Sequence, residues 1–185
     1  SLVMGDETIH LWGKEAIEER INEVTFDLSP RAFFQLNPEQ TKVLYQEGIK
    51  ALAIEKDDTV VDAYCGVGTI GLSVAKYAKE VRGMDIVPQA IDDAKKNATR
   101  LGYDNTRYEV GTAEELLPKW LEEGFQPDGI IVDPPRTGLD AKLVQALLKH
   151  PAKKLVYISC NVSTLARDLV ELTNCYQVDY LQSVD

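Results

Sequence analysis

Residues Val60-Val61-Asp62-Ala63-Tyr64-Cys65-Gly66-Val67-Gly68-Thr69-Ile70-Gly71 constrain this 185-residue chain more than any other stretch. The first half is apolar and β-branched, the pattern of a buried strand. It breaks at Gly66 and Gly68 and resumes with helical periodicity at Ile70-Gly71-Leu72-Ser73-Val74-Ala75. Strand, glycine loop and helix make a nucleotide-type site at the carboxyl end of a parallel strand. Glycine lets the backbone approach a ligand that a Cβ would push away. The following helix turns free N–H groups back toward the loop. A tight βα turn that binds nothing has the same spelling.

The same alternation runs to the end of the chain. Strands are expected over 59–64, 80–85, 106–110, 129–133 and 154–159, with a last one from about Gln177. Helices are expected over 70–77, 89–101, 113–122, 141–149 and 163–172, the last capped by Ser163. Strict alternation predicts an α/β fold with a mostly parallel sheet covered on both faces. The last strand stops at Asp185, so the sheet is expected to be unfinished at that end.

Residues 1–28 read differently. Thr8–Gly13 and Glu23–Leu28 look like short alternating strands, with a turn or short helix between Lys14 and Asn22. They are expected to form an appended β unit, the remnant of a larger N-terminal region, ahead of an incomplete catalytic domain over 29–185. His10 has no partner in sequence and receives no role. A loop, Ser29 to Asn37, leads into a helix running to about Ala53, with Asn37 as N-cap and Pro38 at its first position. Phe33 and Phe34 are expected as core anchors, and the Gln35 amide serves either a ligand or only the loop.

Composition narrows the function. A hydrophobic fraction of 44% is that of a globular chain, and no run of about 18 apolar residues marks a membrane span. Three cysteines without metal-ligand spacing fit reduced thiols, a cytoplasmic location and no metal site. A net charge of −10 argues against a wide nucleic-acid footprint on this chain, though not against a local basic patch or a basic domain elsewhere.

Three rim positions carry the chemistry. Asp85 ends the second strand of the alternating region, where an acid takes two ribose hydroxyls or is merely a solvated strand end. NAD and S-adenosylmethionine sites share that device. Asp62, inside the strand before the glycines, favours S-adenosylmethionine, whose amino group is cationic. Tyr64 packs on either the ligand or the sheet. In Ile130–Gly138 two prolines hold the chain extended after a strand and present Asp133 at the carboxyl edge. In Val156–Asp168 another β-branched strand delivers Cys160 to the same rim. A thiol at a helix start beside a basic side chain such as Arg167 can act as a nucleophile.

Together these residues resemble the RNA uracil-C5 methyltransferases. The resemblance runs from Ser29 to the end, on Ser29-Pro30…Phe34-Gln35-Leu36-Asn37, Asp62–Thr69, Asp133-Pro134-Pro135-Arg136 and Ser159-Cys160-Asn161…Thr164-Leu165-Ala166-Arg167-Asp168. The last two are the most specific, and the loop wording is most similar to the 23S ribosomal RNA branch. The resemblance implies a class I methyltransferase sheet, S-adenosylmethionine as cofactor, and RNA as substrate with no membrane or protein partner. It also implies Gln35, Tyr64, Gly66, Gly68, Asp85 and Asp133 at the cofactor, and Cys160 as the nucleophile that adds to uracil C6. Val162 departs from the family's usual proline after the asparagine. The family's general base, a glutamate in a His-x-Glu-like segment, is expected beyond Asp185. Its RNA-binding β-barrel is expected before this chain, and the cysteine cluster some members carry is not in this sequence. Three alternatives stand beside this reading: a cytosine-C5 enzyme, whose cysteine motifs are worded differently; an amino-group methyltransferase, in which Cys160 is incidental; and a non-catalytic binding module.

Overall fold

The computed structural model describes residues 7–13, 16–21, 24–28, 38–159 and 161–183, with side chains described over 43–159, 161 and 163–177. Strand β1 (Glu7–Gly13) is followed by β2 (Ala16–Ile21), β3 (Val24–Leu28) and helix α1 (Pro38–Leu52). The alternating region supplies β4 (Thr59–Ala63), α2 (Thr69–Val74), β5 (Glu80–Asp85), α3 (Pro88–Leu101) and β6 (Thr106–Val110). It continues through α4 (Ala113–Glu122), β7 (Gly129–Val132), α5 (Ala141–Lys149), β8 (Lys154–Ile158), α6 (Val162–Leu172) and β9 (Tyr176–Ser183). Each expected element of this region is present within a residue or two. The helix expected over 70–77 tightens into a 3₁₀ turn at Ala75–Tyr77.

Seven strands form one sheet in the order β6-β5-β4-β7-β8-β1-β9, and each of its pairings is parallel. The chain steps outward from β4 to β6, then returns to the other side of β4 with β7. That reversal opens a crevice above the carboxyl ends of β4 and β7, where ligands of such sheets bind.

The expected strands near the start of the chain are present as β1 and β3, but β1 takes an unexpected place. β1 lies inside the main sheet, between β8 and β9, with Thr8 opposite Lys154 and Glu7 opposite Tyr176. Residues 16–21, expected as turn or short helix, are a strand paired antiparallel with β3. Cross-strand pairing outweighs the weak local preference of a charged segment.

Alternation along the strands loads both faces. Val61, Ala63, Ile130, Val132, Leu155 and Tyr157 pack with α4, α5 and α6 around the fully buried Leu117, Leu143, Leu147 and Leu169. Val60, Val81, Ile131, Val156 and Ile158 face α1 and α2 through Leu44, Leu52, Ile70 and Val74. At the opposite, amino edge the strand starts are tied together. Asp128 Oδ2 accepts the Thr59 amide at 2.8 Å, and the Asp128 carbonyl accepts the Lys154 amide at 3.0 Å. Asn105 gives its side-chain N–H groups to the Ala75 and Ala78 carbonyls and accepts the Val81 amide.

Candidate functional site

The crevice is an open cleft of about 1140 Å³, walled by Tyr64, Asp85, Asp133 and the segment from Pro134 to Asp140. Three of the expected site residues therefore meet in one place. Gln35 and Cys160 lie outside the described residues.

β4 ends by turning sharply. Tyr64 takes φ 59°, in the left-handed region that costs a non-glycine residue about 1–2 kcal/mol. Its half-buried ring packs against the face that carries α5 and α6, and burial pushes its hydroxyl pKa up. Gly66 follows at φ 56°, and a Cβ built there meets nothing within 4 Å, so this backbone faces open space. Gly68 has a different role: a Cβ there would stand 3.0 Å from the Tyr108 hydroxyl and 3.2 Å from Ala94 and Leu72, so its bareness serves packing. Cys65 is buried with Leu72, Ile91 and Ala94, and burial pushes its thiol pKa up.

Asp85 closes the loop from the neighbouring strand. Its Oδ2 accepts the Gly66 amide at 2.9 Å and its Oδ1 the Val87 amide at 3.0 Å. Each oxygen keeps capacity for a further donor, as a vicinal pair of hydroxyls requires. Asp62 stands beneath the loop, 1% exposed, accepting the Gly71 amide at 2.9 Å. Burial first, then the charges of Asp133 and Asp85, push its carboxyl up to about 7, against the Gly71 bond that lowers it. Asp133 is held from the other side by the Tyr45 hydroxyl of α1, which donates to its Oδ2 at 3.1 Å. Burial brings the Asp133 carboxyl to about 6, with Tyr45 pulling the other way.

Asp85 and Asp133 thus line the cleft, with Asp62 buried beneath the glycine turn, and this acidic rim suits a cationic ligand. Thr112, at the cleft's far end, leaves a buried Oγ1 without a hydrogen-bond partner, and Ile86 and Val87 expose apolar surface to the cleft. A polar orphan between apolar side chains suits the edge of a planar heterocycle. Sequence reading missed Tyr45, Ile86, Val87 and Thr112. Ile86 and Val87 directly follow Asp85 and were the one part of this set that the motif could have supplied.

On the other wall, Asn161 and not Ser163 caps α6, its Oδ1 accepting the amides of Ser163 and Thr164. Arg167, expected as a cation for the thiol, spends its guanidinium on the carbonyls of Thr137 and Leu139 and on Asp168. Among the described residues no cluster of His, Cys, Asp or Glu is arranged to hold a metal ion. No helix of the described residues is long and apolar enough to cross a membrane.

The family model of the tRNA (uracil-5-)-methyltransferases matches residues 12–185. The chain belongs to that family. The chain is 76% identical over its whole length to an uncharacterized RNA methyltransferase of Enterococcus faecalis and 62% identical to one of Listeria innocua. It spans about 41% and 40% of those two proteins. A solved tRNA (uracil-54, C5)-methyltransferase of Pyrococcus abyssi, in complex with S-adenosyl-L-homocysteine, superposes with a TM-score of 0.62 at 36% identity, over 87% of this chain and 38% of that one. The expected fold, the Rossmann-like sheet of class I S-adenosylmethionine-dependent methyltransferases, is the observed one.

Proposed function

We propose that this chain is the catalytic core of an RNA methyltransferase that uses S-adenosylmethionine to methylate C5 of uridine, in 23S ribosomal RNA, through Cys160. The observation that carries the reading is the cleft lined by Asp85 and Asp133 beside the glycine turn, with Asp62 buried beneath that turn, in a chain of the uracil-5 family. Asp85 is suited to the ribose hydroxyls, and the acidic floor to the positive charges of the cofactor. Ile86, Val87 and Thr112 are suited to its base, and Tyr64 and Gly66 to its approach. When bound, S-adenosylmethionine supplies an activated methyl group.

Uracil C5 is a poor nucleophile, and the cysteine answers that. The Cys160 thiolate adds to C6 and pushes the ring electrons toward C5, which becomes enolate-like and able to accept a methyl carbon, whose bond to the sulfonium sulfur would break with its electron pair left on S-adenosylhomocysteine. A general base then removes the C5 proton. The electrons of that C–H bond restore the C5–C6 double bond as the thiolate leaves. The base must be unstacked to expose both faces of the ring. The ribosomal assignment rests on the wording of the loops, whereas the family model's own description names transfer RNA.

Two measurements test this. Nucleotide-resolved mapping of 5-methyluridine in a strain lacking the gene should show one lost site in 23S ribosomal RNA. Loss in transfer RNA would correct the substrate, and no loss would reject the activity. In the full-length gene product, 5-fluorouridine RNA should trap a covalent complex that Cys160→Ala abolishes, with S-adenosylhomocysteine still bound. Continued C5 methylation by Cys160→Ala would overturn the nucleophile and restore the amino-group reading.

A further inference from the structure

The wall of the cleft formed by residues 134–139 contains no helix or strand. Its shape is set from α6. Thr164, Arg167 and Asp168 stand at i, i+3 and i+4, so they share one helical face. All three grip the main chain of this wall. The Thr164 hydroxyl donates to the Arg136 carbonyl at 2.9 Å. Arg167 Nη2 donates to the Thr137 carbonyl at 2.8 Å and the Leu139 carbonyl at 3.1 Å. Asp168 Oδ2 accepts the Leu139 amide at 2.9 Å.

The seat of this grip is Gly138, at φ 74°. A Cβ there would stand 2.7 Å from Arg167 Nη2, 2.7 Å from Asp168 Oδ2 and 2.9 Å from Thr164 Cβ, so a side chain would push all three away together. Asp168 is itself fixed: its buried Oδ2 also accepts the Tyr157 hydroxyl of β8 at 2.6 Å, and its Oδ1 accepts Arg167. One carboxylate thereby joins β8, α6 and the wall.

We infer that Thr164, Arg167 and Asp168 are positioning residues, a latch that holds the wall following Asp133 at a fixed distance from α6, the helix that begins just after Cys160 in the chain. This rests on the proposed function for its catalytic meaning, but not for its geometry. The alternative is that Arg167 matters as a charge. A lysine keeps the charge yet cannot reproduce a planar fork that reaches two carbonyls and a carboxylate.

Arg167→Lys and Thr164→Val in the full-length gene product separate the two roles. The latch predicts that both lower kcat for RNA by about 10- to 100-fold, the scale on which a displacement of about 1 Å acts. S-adenosylhomocysteine affinity should stay near wild type, because Gly66 in the turn after β4 and Asp85 at the end of β5 make no contact with the latch, and the pH–rate profile should keep its shape. A wild-type kcat in Arg167→Lys, with a shifted pH profile in Arg167→Ala, would overturn the latch in favour of the charge. Amide exchange gives a second reading that needs no RNA chemistry. The Leu139 amide should exchange faster in both variants, while amides of β4 and β5 keep their wild-type rates. Unchanged exchange at Leu139 would overturn the latch even if uridine methylation stands. Faster exchange in an enzyme that methylates no uridine would leave the latch and reject the activity.

Discussion

Replacing Asp62 by asparagine should change how the stability of this fold depends on pH. Asp62 is 1% exposed, and burial is the main reason its carboxyl is pushed up to about 7 from an ordinary value of 3.8. The folded chain therefore keeps a proton that the unfolded chain releases. The sign follows from proton linkage: the stabilisation is full below the unfolded pKa, falls by about 1.4 kcal/mol per pH unit through the window, and is lost as pH rises past about 7. Across the whole window this amounts to about 4 kcal/mol. The group is fully buried, so solvent screening does not reduce it. An asparagine does not titrate, and its side-chain oxygen can still accept the Gly71 amide. Urea unfolding of both proteins between about pH 5 and pH 8 should show the wild type losing about 2–3 kcal/mol relative to Asp62→Asn, with the change ending near pH 8. Asp133 titrates in the same direction in both proteins and largely cancels in the difference. A difference that is flat across this range, or that grows in favour of the wild type with rising pH, would refute the assignment.

Gly71→Ala should cost about 1–3 kcal/mol by overpacking, since its Cβ would lie 2.9 Å from Val81 Cγ1 and 3.0 Å from Asp62 Oδ2; denaturant unfolding at wild-type stability would contradict this. Tyr45→Phe removes the hydroxyl that favours the ionised Asp133, so carboxyl NMR should show Asp133 titrating above its present value of about 6, and an unchanged or lower value would exclude the contact as a tuning element. Cys65 should react with alkylating reagents near neutral pH more slowly than the half-buried Cys175, because burial suppresses its thiolate; faster modification of Cys65 would show that the glycine turn opens.

The alternating half of the fold was legible because strand-like and helix-like segments alternate from Thr59 onward with turn residues between them, and β4, β7 and β8 are largely apolar runs. β1 was not. Thr8–Gly13 alternates like any half-exposed strand, and nothing local states that its partners are Lys154 and Tyr176, more than 140 residues away. The acids of the rim were legible from their places at strand ends. The strained turn at Tyr64 was hidden, since an aromatic residue is a poor indicator of positive φ and only the glycines after it hint at the bend. Asn161 was read as part of the Cys160 motif and not as a cap, although asparagine is among the best N-caps. The contacts of Arg167 were hidden for a related reason. The spacing of Thr164, Arg167 and Asp168 is visible in sequence, but their partners are backbone atoms, which every residue possesses and no pattern singles out.

The ties at the amino edge of the sheet have a consequence for how such a protein can change. A strand that slips by one residue sends every side chain to the opposite face. Asp128 and Asn105 count the register from the strand starts, at the end farthest from the cleft. The loops that wall the cleft lie at the other end of the strands. Changes in residues 134–139 leave these amino-edge ties of β4, β5, β7 and β8 in place. The cleft and these register ties thus stand at opposite ends of the same strands.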